Sequence, residues 1–496
     1  MGTYTRLAKD TAIYGVSTIL ARMLNFLLVP IYTRVLVAES YGVYSEIMAW
    51  VTLLQVVLAF GLETGFFRFA NRSNQDVNIL FSTILLFLFV TSLLAFLGIY
   101  ALSGAIAEMM GYYKRAIVFI AAILAIDSFT SILFARLRHE RKAIKFATFR
   151  IIKIFSEILF NLLFIFVFPI YLKSNPDTVF LKILSPVPDY SYILAAILCS
   201  CIVSLILFIP TIIRTSFKFS GKTMKAVLIY SLPLMIAGLP GVANDTIDKI
   251  LYRFIAPESD LWNTQLGIYS ANVKLAVIIL LFIQMFRYAA EPFFFSSANQ
   301  PDIKKVYANI MKYFTAFCMI IFVFIVMYLD VIGLILGKDF RSGVEIVPIM
   351  LLANVLMGVN MNLAMWYKLS EKTNIAILIT LSGFAATILI NLVFVPYYGY
   401  YAAVAAHLIS YLVMIVISYW ISLKHYRIPY QWSRITLFIV SGIFICLASL
   451  VFLQLPMAPK LAINTILLLI YMLFIGYMEK INVLQILQRL GKSRKI

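Results

Sequence analysis

Charged residues stand inside an apolar stretch that runs from Gly238 to Phe254 with the sequence GLPGVANDTIDKILYRF. On a helix, Asp245, Asp248 and Lys249 share one face, because residues three and four positions apart are neighbours. Carboxylates and an ammonium group within a membrane must face protein or water, where they can form ion pairs, bind a coupling cation or meet an anionic substrate. The stretch therefore predicts an ion-pair network or part of a substrate pathway, and the sequence leaves both open.

Glycine and proline interrupt the same stretch. Gly238, Pro240 and Gly241 fall near the middle of a helix predicted at 226–255. Proline removes a backbone hydrogen bond, and the freed carbonyl group needs a polar neighbour. Broken, charged helices are common along the substrate pathways of membrane transporters. We therefore expect an interruption of this helix close to the proline.

Further charged residues fall inside predicted membrane spans. Arg22 lies near the centre of the first span with no acidic residue one turn away, and its planar guanidinium group suits phosphate. The alternative is an ion pair between Arg22 and Glu63 or Asp127 from another helix. We expect an anionic substrate to contact four cations: Arg22, Lys249, Lys274 and Arg287. The candidates for ion pairs or for coupling to a cation are Glu63, Asp127, Glu157, Asp245, Asp248 and Glu291. We also expect Asp248 to pair with Lys249 or Lys274.

The composition places these charges in a membrane protein. Of the 496 residues, 63% are hydrophobic and 13% are charged, whereas about 25% of the residues in a soluble protein are charged. Apolar runs long enough to cross a bilayer as helices recur along the chain, without the alternation of a barrel strand. We predict an all-α polytopic protein with about fourteen transmembrane helices, at 11–33, 43–69, 79–102, 115–135, 146–170, 191–213, 226–255, 268–296, 307–336, 343–367, 374–396, 402–422, 435–455 and 460–478.

The basic residues predict the orientation of these helices. The net charge is +19, and Lys and Arg cluster in alternate connections. The positive-inside rule then places both termini in the cytoplasm, with the first helix acting as the insertion signal. The basic excess is thus mostly a topology signal, and we expect no nucleic acid partner. Phosphate or lipid binding by the loop RLRHERKAIK is the alternative interpretation of that loop.

The sequence carries no pattern typical of an enzyme. It has no phosphate-cradling glycine loop, nucleophile elbow or zinc motif, and its three histidines are scattered. Its four cysteines all fall in predicted spans without metal-ligand spacing. The connections between helices are too short to fold into a soluble catalytic domain. We expect a protein that is not an enzyme and that holds no metal and no cofactor.

A short motif recurs at corresponding places in the chain. The motif GVYS, starting at Gly42, opens the second predicted helix, and GIYS, starting at Gly267, opens the eighth. Because six helices separate the two copies, the two blocks would share one orientation, as in transporters built from parallel repeats. We predict two pseudo-symmetric six-helix lobes with the substrate cavity between them. The predicted ranges are 1–213 for the first lobe, 214–225 for a cytoplasmic linker, 226–433 for the second lobe and 434–496 for two extra helices with a basic cytoplasmic tail.

Five segments match one known family in order over nearly the whole chain: ARMLNFLLVPIYTRVLVAESYGVYSEIMAWVTLLQVVLAFGLETGFFRF, DKILYRF, LGIYSANVKLA, FRYAAEPFFF and LINLVFVPYYGYYAAVAAHLISY. They resemble the polysaccharide (Wzx-type O-antigen and capsule) flippases of the multidrug/oligosaccharidyl-lipid/polysaccharide exporter superfamily. The resemblance implies alternating-access transport of an undecaprenyl-pyrophosphate-linked oligosaccharide across the bacterial cytoplasmic membrane. The substrate would be an O-antigen, capsule or exopolysaccharide repeat unit, moved from the inner to the outer leaflet. The implied partners are this anionic lipid-linked oligosaccharide, membrane lipids, a glycan polymerase and assembly proteins.

Other functions of the same superfamily remain alternatives. A cation-coupled drug or metabolite exporter tends to carry an acidic residue within its first helix, whereas here Asp10 lies at the cytoplasmic end and Arg22 at the centre. A lipid II flippase has a characteristic Arg-Asp motif in that helix, which is missing here. Outside the superfamily, a non-transporting scaffold for glycan assembly would not require intramembrane charges in both halves. The sequence leaves the glycan, the energy source and the oligomeric state open.

Overall fold

A computed structural model describes most of the chain. The described residues are 15, 19–20, 23–24, 26–71, 76–175, 177–182, 184–296, 302–370, 372, 374–452 and 454–480. They fold into helices and connecting turns, and no strand occurs among them. The predicted all-α fold is confirmed.

The helices follow one another through short connections. They are α1 (Phe26–Val35), α2 (Ala38–Leu58), α3 (Leu62–Ala70), α4 (Val77–Ala101), α5 (Ser103–Met110), α6 (Lys114–His139), α7 (Ala143–Leu162), α8 (Phe168–Ser174), α9 (Tyr190–Ile213), α10 (Gly221–Asn244), α11 (Ile247–Ile255), α12 (Trp262–Leu275), α13 (Val277–Ser296), α14 (Ile303–Met327), α15 (Leu329–Ile332), α16 (Val347–Leu363), α17 (Met365–Leu369), α18 (Asn374–Tyr398), α19 (Tyr400–His425), α20 (Trp432–Ser449) and α21 (Met457–Met478). A π-helical segment, Leu163–Val167, joins α7 to α8.

Twelve helical stretches within the described residues are long and apolar enough to cross a membrane. A thirteenth is the pair Ser259–Leu275 and Val277–Tyr288, between which the helix axis bends by 44°. Each of these stretches matches one predicted span. The first predicted span, 11–33, lies partly outside the described residues, and its described end is helical as part of α1. The multi-pass architecture is thus confirmed, and the predicted number of about fourteen is close to the observed one.

The helix predicted at 226–255 is wrong as a single element. It consists of two helices, since α10 ends at Asn244 and α11 begins at Ile247. The expected interruption near the proline is also misplaced, because α10 continues through both Pro233 and Pro240. Prolines are tolerated in membrane helices when neighbouring groups satisfy the freed backbone.

The break has a visible cause one turn after the second proline. The backbone amides of Asp245 and Thr246 bond carbonyl groups three residues back, at 3.2 and 3.1 Å, so the helix tightens there and stops. The buried side chain of Asn244 accepts a hydrogen bond from the Thr387 hydroxyl at 2.6 Å, which fixes the end of α10. The break separates α10 from α11, which carries Asp248 and Lys249.

Two compact units make up the chain, and neither is continuous in sequence. The first unit comprises Met1–Lys274, Leu336–Phe340 and Thr380–Ala406, and the second comprises Leu275–Ile335, Arg341–Ile379 and His407–Ile496. The division into two six-helix lobes at the predicted boundaries stays a prediction.

An aromatic core lies in the first unit where α4, α6 and α9 pack together. Phe81 and Leu88 of α4 are fully buried, as is Leu133 of α6. Phe134 of α6 meets Phe208 of α9 edge to face, with 4.8 Å between the ring centroids. Close packing of this kind, and not the exclusion of water, holds helices together within lipid. The core fixes the spacing of α6 and α9, which both carry polar residues on their other faces.

Close helix contacts surround α14 in the second unit. A Cβ atom on Gly358 of α16 would lie 2.8 Å from the ring of Phe314, so α16 and α14 nearly touch there. Lys312 of α14 forms an ion pair with Glu479, and both side chains are almost completely buried. Small residues and buried polar pairs are typical of helix contacts within a membrane.

Candidate functional site

The two copies of the repeated motif lie against each other in the first unit. A Cβ atom on Gly42 of α2 would overlap the carbonyl oxygen of Asn263 in α12, and one on Gly267 would overlap that of Ala38. Each glycine therefore faces the carbonyl group four residues before the other, and the contact is reciprocal. Only glycine allows two helix backbones to approach this closely. We call this arrangement the α2–α12 contact.

A second glycine contact lies at the other end of the span Ala38–Ala70. Gly61 has a φ of +64° and faces the carbonyl group of Ser231 in α10. Gly65 of α3 faces the hydroxyl group of the same serine and the side chain of Val227. A side chain at Gly61 would be strained by its backbone conformation as well as by its neighbour. We call this arrangement the α3–α10 contact.

A buried ion pair adjoins the α2–α12 contact. Arg253 of α11 lies 3.2 Å from the carboxylate of Glu46 in α2 and donates to the backbone carbonyl oxygen of Met110 at 2.6 Å. The same guanidinium group lies over the Trp262 ring, 4.6 Å from its centroid. The Glu46 side chain is fully buried. Because a buried carboxylate without its partner is costly, Arg253 ties α2, α11 and the end of α5 together.

The segment Leu336–Phe340 joins the same group of helices. Gly337 donates its backbone N–H to the Thr33 hydroxyl at 3.1 Å, and a Cβ atom on Gly337 would overlap the Thr33 carbonyl oxygen. The Asn272 side chain of α12 donates to the Phe340 carbonyl oxygen at 2.7 Å. Together with the α2–α12 contact and the Glu46–Arg253 pair, this segment makes up what we call the seal.

Asp248 is a fully buried charge beside the seal. The Tyr269 hydroxyl donates to one carboxylate oxygen, and the Lys249 ammonium lies 3.7 Å from the other. Lys249 also donates to the backbone carbonyl oxygen of Asp245 at 3.2 Å. The expected pairing of Asp248 with Lys249 is present. Lys274, the other expected partner, lies near the end of α12. Since Tyr269 belongs to the second copy of the motif, the charged face of α11 is attached to the seal.

A second group of charges lies between α6, α7 and α9. The Lys153 ammonium is 2.6 Å from the carboxylate of Asp127, which also accepts a hydrogen bond from the Cys201 thiol at 3.3 Å. Glu157 lies one turn beyond Lys153 on α7 and interacts electrostatically with both charges. The side chains of Asp127 and Lys153 stay 31% and 18% exposed, so the pair is not closed off. We call Asp127, Lys153 and Glu157 the charge cluster.

Two other predicted acidic residues form separate ion pairs. Glu63 of α3 pairs with Arg138 near the end of α6. Glu291 of α13 pairs with Lys368 of α17 at 2.6 Å, within the second unit. Both pairs are partly exposed, and exposed pairs contribute little to stability. The first ion pair connects α3 to α6, and the second connects α13 to α17.

The four predicted substrate cations have different surroundings. Lys249 is bound to Asp248 and lies, like Lys274, in the first unit, whereas Arg287 lies in the second. Arg287 lies over the Tyr288 ring, 5.7 Å from its centroid, and forms no ion pair with any described residue. Arg22 lies outside the described residues, so its expected role stays a prediction.

Sequence reasoning misses Glu46 and Arg253 as site residues. Both stand close to the ends of predicted helices, where a charge meets water and needs no explanation. Their pairing joins positions 207 residues apart, which only the fold can bring together. A signal was nevertheless present, because Glu46 directly follows the first copy of the motif and Arg253 belongs to the charged stretch that opens at Gly238.

The polar groups of the site are suited to ion pairing and hydrogen bonding. Among the residues that the structure describes, no group of three or more His, Cys, Asp or Glu side chains is placed to hold a metal ion. All four cysteines are free thiols. The arrangement thus joins helices through ion pairs, hydrogen bonds and close backbone contacts.

A family match decides the classification of the chain. The sequence model of a family described as polysaccharide biosynthesis protein matches residues 7–298, more than half of the chain. The chain belongs to this family. The predicted resemblance is thereby confirmed at the family level. One curated relative is protein 1 of the Lsg locus of Haemophilus influenzae. It is 23% identical to this chain over 411 residues, and the alignment covers 79% of this chain and 94% of the relative.

Solved transporters share the fold of this polysaccharide biosynthesis protein. The inward closed structure of the lipid II flippase MurJ aligns with a TM-score of 0.74 over 95% of this chain and 99% of that chain, at 13% identity. An inward-facing multidrug resistance transporter of the MATE family, in the MOP superfamily, aligns with a TM-score of 0.62 over 82% of this chain and 97% of that chain, at 13% identity. The chain therefore shares its fold with solved membrane transporters.

Proposed function

We propose that this protein is a flippase for an undecaprenyl-pyrophosphate-linked oligosaccharide. It would move the repeat unit of an O-antigen, capsule or exopolysaccharide from the inner to the outer leaflet of the bacterial cytoplasmic membrane, with both termini cytoplasmic. The observation that carries the proposal is the match to the polysaccharide biosynthesis family in a chain with a transporter fold. A glycan polymerase and assembly proteins would receive the product.

The seal is proposed as the outer gate of this flippase. Met110, which Arg253 binds, lies just before Lys114 at the start of α6. The basic residues that begin at Arg136 stand at the opposite end of the same helix, which the positive-inside rule assigns to the cytoplasm. Release of the glycan on the outer side therefore requires the seal to open. Its backbone contacts and few polar bonds suit a contact with two discrete states.

The α3–α10 contact is proposed as the inner gate. It involves Gly61 and Gly65 at the other end of the span that carries Gly42. Alternating access requires that the two ends of this span do not open together. The four cations Arg22, Lys249, Lys274 and Arg287 are proposed contacts of the pyrophosphate, which is an anion that Arg and Lys bind well.

The remaining charges are assigned two kinds of role. Asp127 and Glu157 of the charge cluster are proposed coupling groups, because they lie within the membrane, close to a lysine and not closed off. Glu63, Asp248 and Glu291 are proposed structural partners, because each forms an ion pair with a neighbouring cation. Asp245 belongs with them as the residue whose carbonyl oxygen Lys249 binds.

Locking the outer gate tests the proposal directly. The Asn263 side chain donates to the Glu39 carboxylate at 3.1 Å on the exposed side of the α2–α12 contact. A short bifunctional thiosulfonate reagent should bridge cysteines in the double variant Glu39→Cys with Asn263→Cys. We expect surface polysaccharide export to stop, lipid-linked repeat units to accumulate, and a reducing agent to restore export. The two single cysteine variants, treated alike, are the controls. Undiminished export by a fully cross-linked protein would contradict the gate.

A lipid II flippase is the second candidate. The fold shared with MurJ over 95% of the chain favours it above a drug exporter, and the family match favours the oligosaccharide substrate above both. The lipid-linked intermediate that accumulates behind the locked gate distinguishes the candidates, because lipid II carries the peptidoglycan unit and the proposed substrate carries the polysaccharide repeat.

A further inference from the structure

Two cavities adjoin each other along α4, α6 and α9 of the first unit. The larger has a volume of about 700 Å³ and is lined almost entirely by apolar side chains, among them Leu85 and Phe89 of α4 and Ile126 of α6. On α4 it extends from Leu85 to Phe96, about 16 Å at the rise of an α-helix. We call it the apolar groove. Its size lies within the range of ligand pockets in proteins.

The smaller cavity has a volume of about 380 Å³ and is basic. Four cations line it, namely Arg136, Lys142, Lys145 and Arg214, together with one carboxylate, Glu140. This cavity, which we call the basic pocket, includes part of the loop RLRHERKAIK. Lys142 also precedes the first turn of α7, where unpaired backbone N–H groups add positive potential.

The single carboxylate of the basic pocket is already satisfied by two of the cations. Glu140 lies 2.6 Å from the Arg136 guanidinium and 2.7 Å from the Lys142 ammonium. Burial would raise the pKa of the Glu140 carboxyl, but the hydrogen bonds and charges of Lys142 and Arg136 lower it below its usual value, so Glu140 stays ionised. Lys145 and Arg214 are exposed and form no ion pair with any described residue. The pocket therefore keeps a positive excess.

The two cavities approach each other just after the end of α9, where Ser216 lines the basic pocket and the next residue, Phe217, lines the apolar groove. Ile209 and Ile212 line the apolar groove, while Thr211 and Arg214 of the same turn line the basic pocket. On α4, Asn78 lines the pocket and Leu85 lies two turns further along in the groove. A cationic pocket thus lies close to one end of an apolar groove. The matching ligand has an anionic head and an attached hydrocarbon chain.

We infer that this bipartite surface binds one anionic glycerophospholipid, with its phosphate in the basic pocket and an acyl chain in the apolar groove. The unneutralised charge of Lys145 and Arg214 selects an anionic lipid over a zwitterionic one, which brings its own cation. The site is separate from the charge cluster. Asp127 points toward α7 and α9 at Lys153 and Cys201, whereas Ile126 lines the groove. Lipid binding here depends neither on the glycan nor on the gate.

Native mass spectrometry of the full-length, delipidated protein tests the inference. The probes are phosphatidylglycerol and phosphatidylcholine with identical acyl chains. We expect one tightly bound phosphatidylglycerol and an affinity for phosphatidylcholine at least tenfold lower. The double variant Lys145→Ser with Arg214→Ser should lose at least tenfold in affinity for phosphatidylglycerol. The matched control is Lys222→Ser with Lys225→Ser, which removes two exposed lysines of α10 outside the pocket and should bind like the original protein.

A variant of the apolar groove distinguishes the contribution of the acyl chain to lipid binding from that of the head group. Ala125 lines the groove, and Ala125→Phe should weaken binding of both lipids while leaving their ratio unchanged. Equal binding of the two lipids, or an unchanged affinity in the pocket variant, would overturn the inference. Displacement of phosphatidylglycerol by equimolar undecaprenyl phosphate would also overturn it, because the surface would then be a site for the substrate lipid. Thermal melting of each variant shows whether it is folded, and the pocket variant alters only exposed side chains.

Discussion

At the scale of single residues, Arg253 holds together more parts of the seal than any sequence pattern indicates. It contacts the buried Glu46 carboxylate, the Met110 carbonyl oxygen and the Trp262 ring at once. Arginine suits this position because its planar guanidinium group donates in several directions and stacks on an aromatic face. The gate proposed here needs contacts that are specific and still breakable, and Arg253 supplies contacts of this kind.

Removing Arg253 should weaken the seal strongly. In Arg253→Ala, Glu46 would be left buried without its partner, which typically costs about 3–5 kcal/mol. We expect a lower melting temperature and a large loss of export, and we expect Arg253→Lys to recover only part of both, because lysine cannot make the same set of contacts. Differential scanning fluorimetry and an export assay measure the two effects. Lys173→Ala, which removes an exposed lysine of α8 outside the seal, is the control. Equal behaviour of Arg253→Ala and this control would show that the ion pair is dispensable.

At the scale of elements, the α2–α12 contact depends on the absence of two side chains. A Cβ atom on either Gly42 or Gly267 would overlap a backbone carbonyl oxygen, which cannot move aside as a flexible side chain does. The repeated motif therefore has a structural meaning, since its glycine is where the two copies touch. The tyrosine of the second copy, Tyr269, extends the contact to Asp248.

Substitution of Gly42 by alanine should push α2 and α12 apart. Overpacking of this kind typically costs about 1–3 kcal/mol. We expect Gly42→Ala to raise the rate at which a membrane-impermeant maleimide labels a cysteine introduced by Ser270→Cys, a position that is 3% exposed in the closed seal. The matched control is Gly98→Ala in α4, where a Cβ atom meets nothing within 4 Å. Identical labelling rates in the two alanine variants would count against the contact as a closed gate.

The elements themselves are largely predictable, because long apolar runs report the bilayer directly. The predicted helix at 226–255 fails at one point, since Pro240 stays helical and the break at Asp245 depends on the tertiary contact between Asn244 and Thr387. No local pattern contains a partner that is distant in sequence. The bend between α12 and α13 escapes prediction because their junction is apolar and carries no proline or glycine.

The site is predictable in part, for the same physical reason. Asp127, Asp248 and Glu291 stand out because a charge within an apolar span needs a partner, and each has one. The sequence does not predict which residue is the partner, since partners such as Asp127 and Lys153 come from different helices. Glu46 escapes because nothing in its neighbourhood shows that the fold buries it.

At the scale of the whole molecule, the proposed flippase rests on the family match together with a fold shared with solved transporters. The polysaccharide biosynthesis family covers residues 7–298, which include the α2–α12 contact, the α3–α10 contact and the charge cluster. The shared fold extends over 95% of the chain. The family match therefore covers both proposed gate contacts and the charge cluster, whereas the segment Leu336–Phe340 of the seal lies outside the matched residues.

The most direct test of the central claim is mass spectrometry of the lipid-linked glycans in a strain that lacks this protein. The account predicts accumulation of an undecaprenyl-pyrophosphate-linked polysaccharide repeat unit and loss of the corresponding surface polysaccharide. Expression of the original chain should reverse both effects, whereas expression of Arg253→Ala should not. Accumulation of lipid II instead, or a lipid-linked glycan profile identical to that of the parent strain with surface polysaccharide intact, would contradict it.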